Sequence, residues 1–516
     1  ITNIDQIRSE YLDDQYRDLN SDYNYSDSRT ESLTYLEGLF NSETEDEKGI
    51  TGSIENFYSA LKDFDTDTTS EEYRTSVQQN AKSMTENFNV VYNEMESLWN
   101  DQNASISSDA DSINSIAQQL ASLNKSVAEY ERNGDTANDL RDKRNLLLDQ
   151  LSSYVNITYS NNADNQSMTD VQIGGIDLVS GTEYHEIKCS NSSDSETEIN
   201  SLTKQIAEVN TQIQSGATEA ESGKAAISDL VGQLGQYIDV TSSANADDSN
   251  LVDVSFSGVS LVNGTSSTSI GNAVESDLNA WAVFNRNNLT IDGKELSIEA
   301  GTVTSGKLYS NMEMVVSDGS DSSIEAGALY YMKKLNSLAQ TIAKTMNDIH
   351  STGYTYPTES SESVTGINLF DVPTDSDGTE DYSKITAGNF TISDEVQDSV
   401  WNIAGASSKV TSGTASSGDA DVADEMYKTV TDGKFYSGLN AIVSHLSTAL
   451  YTSTGIESTK SSLLDSAEKQ RTSVSGVSID EEATNLIVFQ QSYNACARVL
   501  TTMNDMLDTL ISTMGR

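Results

Sequence analysis

The chain has 516 residues, of which 80 are acidic and 30 are basic, so its formal net charge at pH 7 is -50. This charge excludes nucleic acids and anionic membrane surfaces as partners, because both repel such a chain. With only 2 cysteines there is no disulfide framework, and no apolar run approaches the ~20 residues of a membrane span.

Helical periodicity dominates the N-terminal part of the chain. Residues 1–40 repeat apolar side chains every three or four positions, which predicts a long helix. The stretch "GITGSIENFYSALKDF" predicts a short second helix. A capping box from Thr69 to Glu72 predicts the start of a third, which we expect to end near Asp101. A helical hairpin follows, with its turn at Asn133-Gly134.

After Tyr154 the pattern changes to short strands around glycine turns, and part of it occurs twice. "INSIAQQLASLN" from Ile113 is echoed by "INSLTKQIAEVN" from Ile199, and "DVQIGGIDLVSG" is echoed by "DVSFSGVSLVNG". Gly175 and Gly258 are 83 residues apart, whereas the first echo has an offset of 86. We expect residues 199–265 to be a second copy of a helical hairpin followed by strands.

The rest of the chain alternates between strand-like and helical stretches. "WAVF" and "NLTIDG" predict further strands, and a helix is expected from Ser323 to Ile349. Residues 352–417 are rich in Gly, Ser and Thr and look strand-like, with "NFTISD" the clearest strand. Helices are then expected over Ala420–Leu450 and Lys460–Ser473.

The last stretch, from Ser478 to Arg516, predicts one long helix that starts at a capping box. Its apolar residues recur every seven positions in two rows, which is the pattern of a coiled coil. Burying this seam would contribute roughly 15–30 kcal/mol, whereas a lone helix with its seam in water is marginal. The predicted assembly interface consists of Ile479, Leu486, Phe489, Tyr493, Leu500, Met503, Leu507 and Leu510. In a dilute monomer we expect the helix to be poorly ordered beyond Tyr493.

These elements predict an α+β fold: a discontinuous, elongated helical bundle stem with a coiled-coil terminal helix and an inserted β-rich domain. The predicted divisions are stem segments at 1–158, 322–356 and 418–478, β-rich segments at 159–321 and 357–417, and the terminal helix at 479–516.

Sites for chemistry are incomplete. His185 and Cys189 in "YHEIKC" supply two of the four ligands that zinc needs. The loop "DVPTDSDGTEDYSK" places Asp375 and Asp377 in step with a calcium loop, but Pro373 and Lys384 occupy its end positions. His350 and His445 lie in predicted helices. We therefore predict no catalytic residue, no cofactor and no metal site.

Several segments resemble the flagellar axial proteins, most of all the hook-associated members. "SGVSIDEEATNL" near the C-terminus is similar to their terminal segment. "ANDLRDKRNLLLDQLS" resembles an N-D-L-x-D-x-R-D motif of theirs, with Asn145 where Asp is usual. "LNSLAQTIAKTMNDIHSTG" resembles a helix with the pattern N-x-x-H-x-x-G, and "ITAGNFTIS" a downstream strand. The family begins with a further N-terminal stretch, including an export signal and a helix that pairs with the C-terminal one, which we expect to be missing here.

The resemblance implies a structural protein without catalysis, which joins hook to filament and assembles into a ring through its terminal helices. The implied partners are copies of itself, the hook protein, a second junction protein and an export chaperone on the last helix. It implies an extracellular location after export in the unfolded state by the flagellar type III pathway. Two alternatives stay open: another axial protein, such as a hook or flagellin variant, or a secreted hydrolase with the β-rich insert as its enzyme.

Overall fold

The computed structural model describes residues 8–40, 43–44, 47–132, 134, 136–322, 324–359, 361–374, 378–411, 418–431, 433–476 and 479–514. Its helices are α1 Glu10–Phe40, α2 Gly49–Thr66, α3 Glu71–Glu131, α4 Asn138–Tyr154, α5 Glu196–Gln214, α6 Ala220–Leu234, α7 Ile270–Glu275, α8 Leu278–Asn285, α9 Lys307–Val316, α10 Ala328–His350, α11 Asp394–Asp398, α12 Asp421–Thr431, α13 Lys434–Ser475 and α14 Ile479–Met514.

The strands are short and form small antiparallel sheets. They are β1 Glu43–Thr44, β2 Glu47–Lys48, β3 Thr158–Asn161, β4 Thr169–Ile173, β5 Ile176–Ser180, β6 Glu183–Tyr184, β7 Ile187–Asn191, β8 Val240–Ala244, β9 Val252–Phe256, β10 Val259–Asn263, β11 Ser266–Ser267, β12 Asn287–Ile291 and β13 Lys294–Leu296. Besides the pair β1-β2, the sheets have the orders β3-β4-β5-β6, β11-β10-β9-β8 and β13-β12-β7. The observed fold is therefore the predicted α+β arrangement of long helices with small sheets.

The longest helix, α3, continues without interruption for 61 residues, about 90 Å at ~1.5 Å per residue. The predicted end near Asp101 is wrong, because Ile106 and Ile113 carry the buried stripe onward and no Gly or Pro interrupts it. The helix begins one residue later than predicted. Ser70 is its N-cap, and the Ser70 side chain accepts a hydrogen bond from the backbone N–H of Tyr73.

The stem is assembled around α1, which packs along α13 and also against α4 and α9, while α2 packs against α3. Helix α10 packs against α3, α13 and α12, so it joins the stem helices rather than the sheets. Helix α13 runs without a break through the predicted gap between Leu450 and Lys460, and Gly455 within this gap is helical. The real break lies at Gly433, which has a left-handed φ of 78°.

Two strand predictions are wrong. "WAVF" lies inside α8, where the Asp277 side chain caps the helix and Ala280 and Phe284 are buried four residues apart. In the described part of the segment after α10, "NFTISD" makes only an isolated bridge between Phe370 and Ile392. The apolar side chains of this stretch are buried in the same core as the stem helices, so the stretch needs no neighbouring strand.

The end of α10 holds this irregular segment in place through Asn347 and His350. The Asn347 side chain donates to Phe370 O at 2.8 Å and accepts from the N–H groups of Leu369 and Phe370 at 2.9 Å. His350 Nδ1 lies 2.7 Å from Ile367 O. Its Nε2 accepts from the Ala404 N–H at 2.8 Å, which makes Nδ1 the donor. The N-x-x-H-x-x-G pattern is therefore a set of backbone contacts.

We expect His350 to make the protein less stable in mild acid. Its burial lowers its pKa from 6.5 to about 4, so between these values only the unfolded chain binds a proton at this residue. The stabilisation is complete above pH 6.5 and is lost as the pH falls towards 4, by about 3 kcal/mol in all. Urea unfolding at pH 7.0, 5.5 and 4.5 measures this loss.

The matched variant is His350→Gln, which should be less stable at pH 7 but lose less stability on acidification. The comparison with this variant is needed because burial raises the pKa of Asp109 to about 6, and that shift acts in the opposite direction. Equal acid-induced losses in the two proteins would contradict the prediction.

Two separate hydrophobic cores lie inside the described residues. The larger core contains the stem helices and also Val171, Leu178, Ile187 and Leu289 from the sheets β3-β4-β5-β6 and β13-β12-β7. The smaller one contains α5 to α8 and β9 to β10, with Ile199, Leu261 and Phe284 among its members. The first sheet thus shares its core with the stem, although the sequence placed it in a separate insert.

Candidate assembly surface

The terminal helix α14, Ile479–Met514, is the one predicted interface, and its described side chains from 480 to 513 are all exposed. The exposed fractions of the predicted seam residues range from 53% for Leu507 to 74% for Tyr493. Between these values lie Leu486, Phe489, Leu500, Met503 and Leu510. The side chain of Ile479 and all of Ser478 lie outside the described residues. The structure therefore places the predicted seam residues on one helix, and their described side chains are exposed to solvent.

The apolar surface of α14 is wider than the predicted seam. Val499, Met506 and Ile511 are also more than half exposed, and they flank the two rows that the sequence reasoning used. At ~100° per residue, the apolar side chains cover an arc of roughly 160°. A narrow two-row seam is typical of a two-stranded coiled coil, whereas a third row is typical of a helix in a bundle. The signal was present in the sequence at the positions beside the heptad rows.

The opposite face of α14 is polar. Arg498, Asp505 and Asp508 lie there, together with threonines such as Thr501, whose hydroxyl groups donate to the backbone oxygen four residues earlier. The helix is thus amphipathic, with an apolar arc that is exposed in the single chain.

The base of the stem, next to α14, is held by charged side chains. Asp149 of α4 accepts from Arg17 Nε of α1 at 2.8 Å and from Arg471 Nη1 of α13 at 2.6 Å. The Arg471 guanidinium also lies 3.8 Å from the ring centroid of Tyr16. One carboxylate therefore joins three helices where α13 ends.

We expect Asp149→Ala to destabilise the stem by about 3 kcal/mol, because it leaves two largely buried guanidinium groups without their shared partner. Urea unfolding followed by circular dichroism measures the change. Asp465→Ala is the control, since Asp465 pairs with Lys469 at the surface and such pairs contribute under ~1 kcal/mol. Equal effects of the two variants would contradict this role of Asp149.

The N-D-L-x-D-x-R-D resemblance also corresponds to a structural network. Arg144 donates to Asn124 Oδ1 at 3.1 Å and to Ser167 O at 2.8 Å, which ties α4 to α3 and to the first sheet. Arg141 donates to Glu131 and holds the pKa of that carboxyl down at about 2. Asn145, where the family has Asp, lies 3.4 Å from Arg17 Nη2.

The remaining candidates for chemistry are dispersed. His185 Nδ1 pairs with Asp292 at 2.6 Å, and Cys189 is an exposed free thiol whose pKa is raised by partial burial. His445 lies 3.2 Å from the Tyr331 hydroxyl. Asp375 and Asp377 lie outside the described residues. Among the residues that the structure describes, no group of three or more His, Cys, Asp or Glu side chains could hold a metal ion. None of the described helices has the length and apolar character needed to cross a membrane.

Known families match both the stem and α14. The helical-domain model of flagellar hook-associated protein FlgK matches residues 33–197 and again 190–370, which together exceed half of the chain. A model of the C-terminal part of flagellar basal body rod FlgEFG proteins matches residues 468–513.

Individual proteins agree with these matches. Flagellar hook-associated protein 1 of Bacillus subtilis (strain 168) is 27% identical over 526 residues, which cover 99% of this chain and 85% of that protein. A solved structure, the flagellar hook junction protein FlgK from Burkholderia pseudomallei, is 14% identical with a TM-score of 0.41. That match covers 70% of this chain and 47% of the solved chain, and at this TM-score no structural argument rests on it.

The family predicted from the motifs is therefore confirmed, and the match to the rod proteins is confined to the C-terminal segment. The chain belongs to the family of the flagellar hook-associated protein FlgK, a family of structural flagellar proteins and not of enzymes.

Proposed function

We propose that this chain is part of the junction between hook and filament of the bacterial flagellum, where its copies assemble into a ring. The observation that carries the proposal is the apolar arc of α14, in which the seam residues from Leu486 to Leu510 are more than half exposed. An isolated helix of this kind is marginal in water, so helices of neighbouring copies are its expected cover. The relative described as flagellar hook-associated protein 1 supports the same role.

The interface of this assembly consists of Ile479, Leu486, Phe489, Tyr493, Leu500, Met503, Leu507 and Leu510, extended by Val499, Met506 and Ile511. The width of the arc supports contact with more than one neighbouring helix. Burial of the eight predicted residues would contribute roughly 12–24 kcal/mol, a large part of which must offset the ordering of α14.

Further partners follow from the same role. The hook protein and a second junction protein would contact the two ends of the ring, and an export chaperone would cover the apolar arc before assembly. We place the protein outside the cell, after export in the unfolded state by the flagellar type III pathway. Its low cysteine content suits that route, because the chain has no disulfide framework to break.

We also propose a domain organisation in which 1–158, 322–356 and 418–478 form one discontinuous stem, with 479–516 as the assembly helix. The contacts of α10 with α3 and α13 support this stem. Residues 159–321 and 357–417, which the sequence predicts to be β-rich, connect its parts. The shared core supports assigning the first sheet to the stem as well.

The natural thiols offer a direct test of the role of α14. Cys496 lies in the second seam row of α14, and Cys189 is exposed on β7. A maleimide should label both in the dilute protein. In purified hook–junction complexes, burial of Cys496 in the α14 interface should exclude the maleimide, so the labelling rate of Cys496 should fall at least about tenfold. Cys189 is the internal control. Unchanged labelling of Cys496 in the complex would contradict the proposal.

A further inference from the structure

The smaller core belongs to a segment that leaves the rest of the molecule and returns to it at one pair of residues. Strand β7 ends at Asn191 and β12 begins at Asn287, and these two residues are paired antiparallel neighbours. Residues 192–286 lie between them and contain α5 to α8 and β8 to β11. Without this segment, β7 and β12 would be the two arms of an ordinary hairpin.

The junction of this segment with the stem has polar and apolar contacts. Asn103 of α3 donates to Asn285 O at 2.9 Å and accepts from the Asn287 N–H at 2.7 Å. The apolar contacts come from α8. Trp281 lies 4.5 Å from Trp99 between ring centroids and packs against both cores, while Ala282 belongs to the larger core.

The segment repeats the internal hydrogen bonds of the first copy of the repeat, residues 113–181, which we call the stem unit. Asn124 Nδ2 donates to Thr169 O at 2.8 Å and to Gly181 O at 2.6 Å. In the second unit, Asn210 Nδ2 donates to Val252 O at 2.8 Å and to Gly264 O at 2.6 Å. Each asparagine Oδ1 also accepts from the N–H of the same strand residue, Thr169 or Val252.

Other bonds recur at the same offsets. Asp170 accepts from Asn162 and from the Gly181 N–H, and Asp253 accepts from Asn245 and from the Gly264 N–H. The turn glycines also agree, since Gly175 and Gly258 have φ values of 80° and 89°. The agreements include bonds from side chains to the backbone, a bond between two side chains and a turn conformation, so chance similarity of two hairpins does not explain the set.

The second unit differs where the first one contacts the stem. In the first unit, Arg17 of α1 donates to Asp149 and lies over the Tyr159 ring. The positions 83 residues later are Gly232 and Ser242, and both are exposed. The residues that bind Arg17 of the stem are thus absent from the copy.

We propose that residues 192–286 are a tandem copy of the stem unit that has become an independently folding lobe, faces solvent in the assembled ring and is dispensable for assembly. The folding part of this inference stands on the contacts alone, while the assembly part rests on the proposed function.

A matched pair of substitutions in the full chain tests the folding part. Asn210→Ala and Asn124→Ala remove the same three bonds to backbone groups from the two units, and Asn124→Ala also removes the bond from Arg144. By hydrogen exchange with mass spectrometry, Asn210→Ala should speed exchange in α5 and β9 by about tenfold or more and leave α1, α3 and α13 unchanged. Asn124→Ala should act on α3, α4 and β4 instead. Faster exchange of α1 or α13 in Asn210→Ala would overturn independent folding.

Replacing residues 192–286 by Asn-Gly, which favours a two-residue hairpin turn, tests the assembly part. We expect the shortened protein to keep the exchange pattern of α1 and α13, with faster exchange in α3 confined to the turns around Trp99, which loses its contact with Trp281. It should complete hook–filament junctions as the full chain does. A folded stem that no longer assembles, while the full chain does, would overturn the solvent-facing lobe. If neither protein assembles but the stem stays folded, the proposed function fails and the independent lobe stands.

Discussion

Leu500→Asp in α14 is expected to abolish assembly of the junction while the stem stays folded. Leu500 lies in the middle of the apolar arc and is 65% exposed in the single chain, so the monomer loses little. In an assembled ring the new carboxylate would be buried without a partner, which costs several kcal/mol. A cost of ~3 kcal/mol corresponds to more than a hundredfold weaker association, and each copy in the ring incurs it.

Sedimentation and electron microscopy of complexes with isolated hooks measure the effect, and circular dichroism reports on the stem. Leu507→Asp should behave in the same way. Thr501→Asp is the matched control, because it places the same charge one residue away on the polar face of α14. Normal assembly of Leu500→Asp, or an equal defect in Thr501→Asp, would show that the apolar arc is not the interface.

Glu313→Ala is expected to cause the largest loss of stability in the stem. Arg29 of α1 and Glu313 of α9 form an ion pair at 2.5 Å, with side chains only 5% and 1% exposed. The Tyr25 hydroxyl donates to the same carboxylate at 3.1 Å. Removing Glu313 leaves the buried Arg29 charge without its one buried carboxylate partner among the described residues, which costs about 3–5 kcal/mol. The midpoint of urea unfolding should fall accordingly.

Two further variants distinguish the loss of this pair from a general effect of charge. Glu325 lies 3.8 Å from the same guanidinium but is 70% exposed, so Glu325→Ala should cost under ~1 kcal/mol. The double change Arg29→Met with Glu313→Leu removes both charges and should restore much of the stability. A double variant as unstable as Glu313→Ala would mean that packing, and not the unpaired charge, causes the loss.

The sequence predicted the parts of the fold that depend on periodicity. The heptad rows of α14 and the buried stripe of α10 are regular, and the structure has helices at both places. The prediction failed where tertiary contacts override local pattern. "WAVF" looks like a strand because its residues are apolar and aromatic, but the Asp277 cap and the contact of Trp281 with Trp99 make it a helix.

Other features lay beyond any reading of local pattern. In α3 after Asp101, polar residues are buried beside the apolar stripe. Asn103, Asp109 and Asn124 can be buried because they have partners from distant segments. The insertion of residues 192–286 at a strand pair depends on the register of Asn191 with Asn287, and the sequence alone does not reveal which strands pair. The apolar arc of α14 was predicted by its residues but too narrowly, since heptad counting omits the rows beside it.

The amide protection of α14 tests the central claim most directly. In the dilute monomer, hydrogen exchange at Leu500–Leu510 should be fast, because ordering these residues without burial costs ~1 kcal/mol or more for each. In assembled junctions the same amides should become strongly protected. Strong protection in the monomer would mean that the chain covers its own apolar arc, and assembly through α14 would be contradicted.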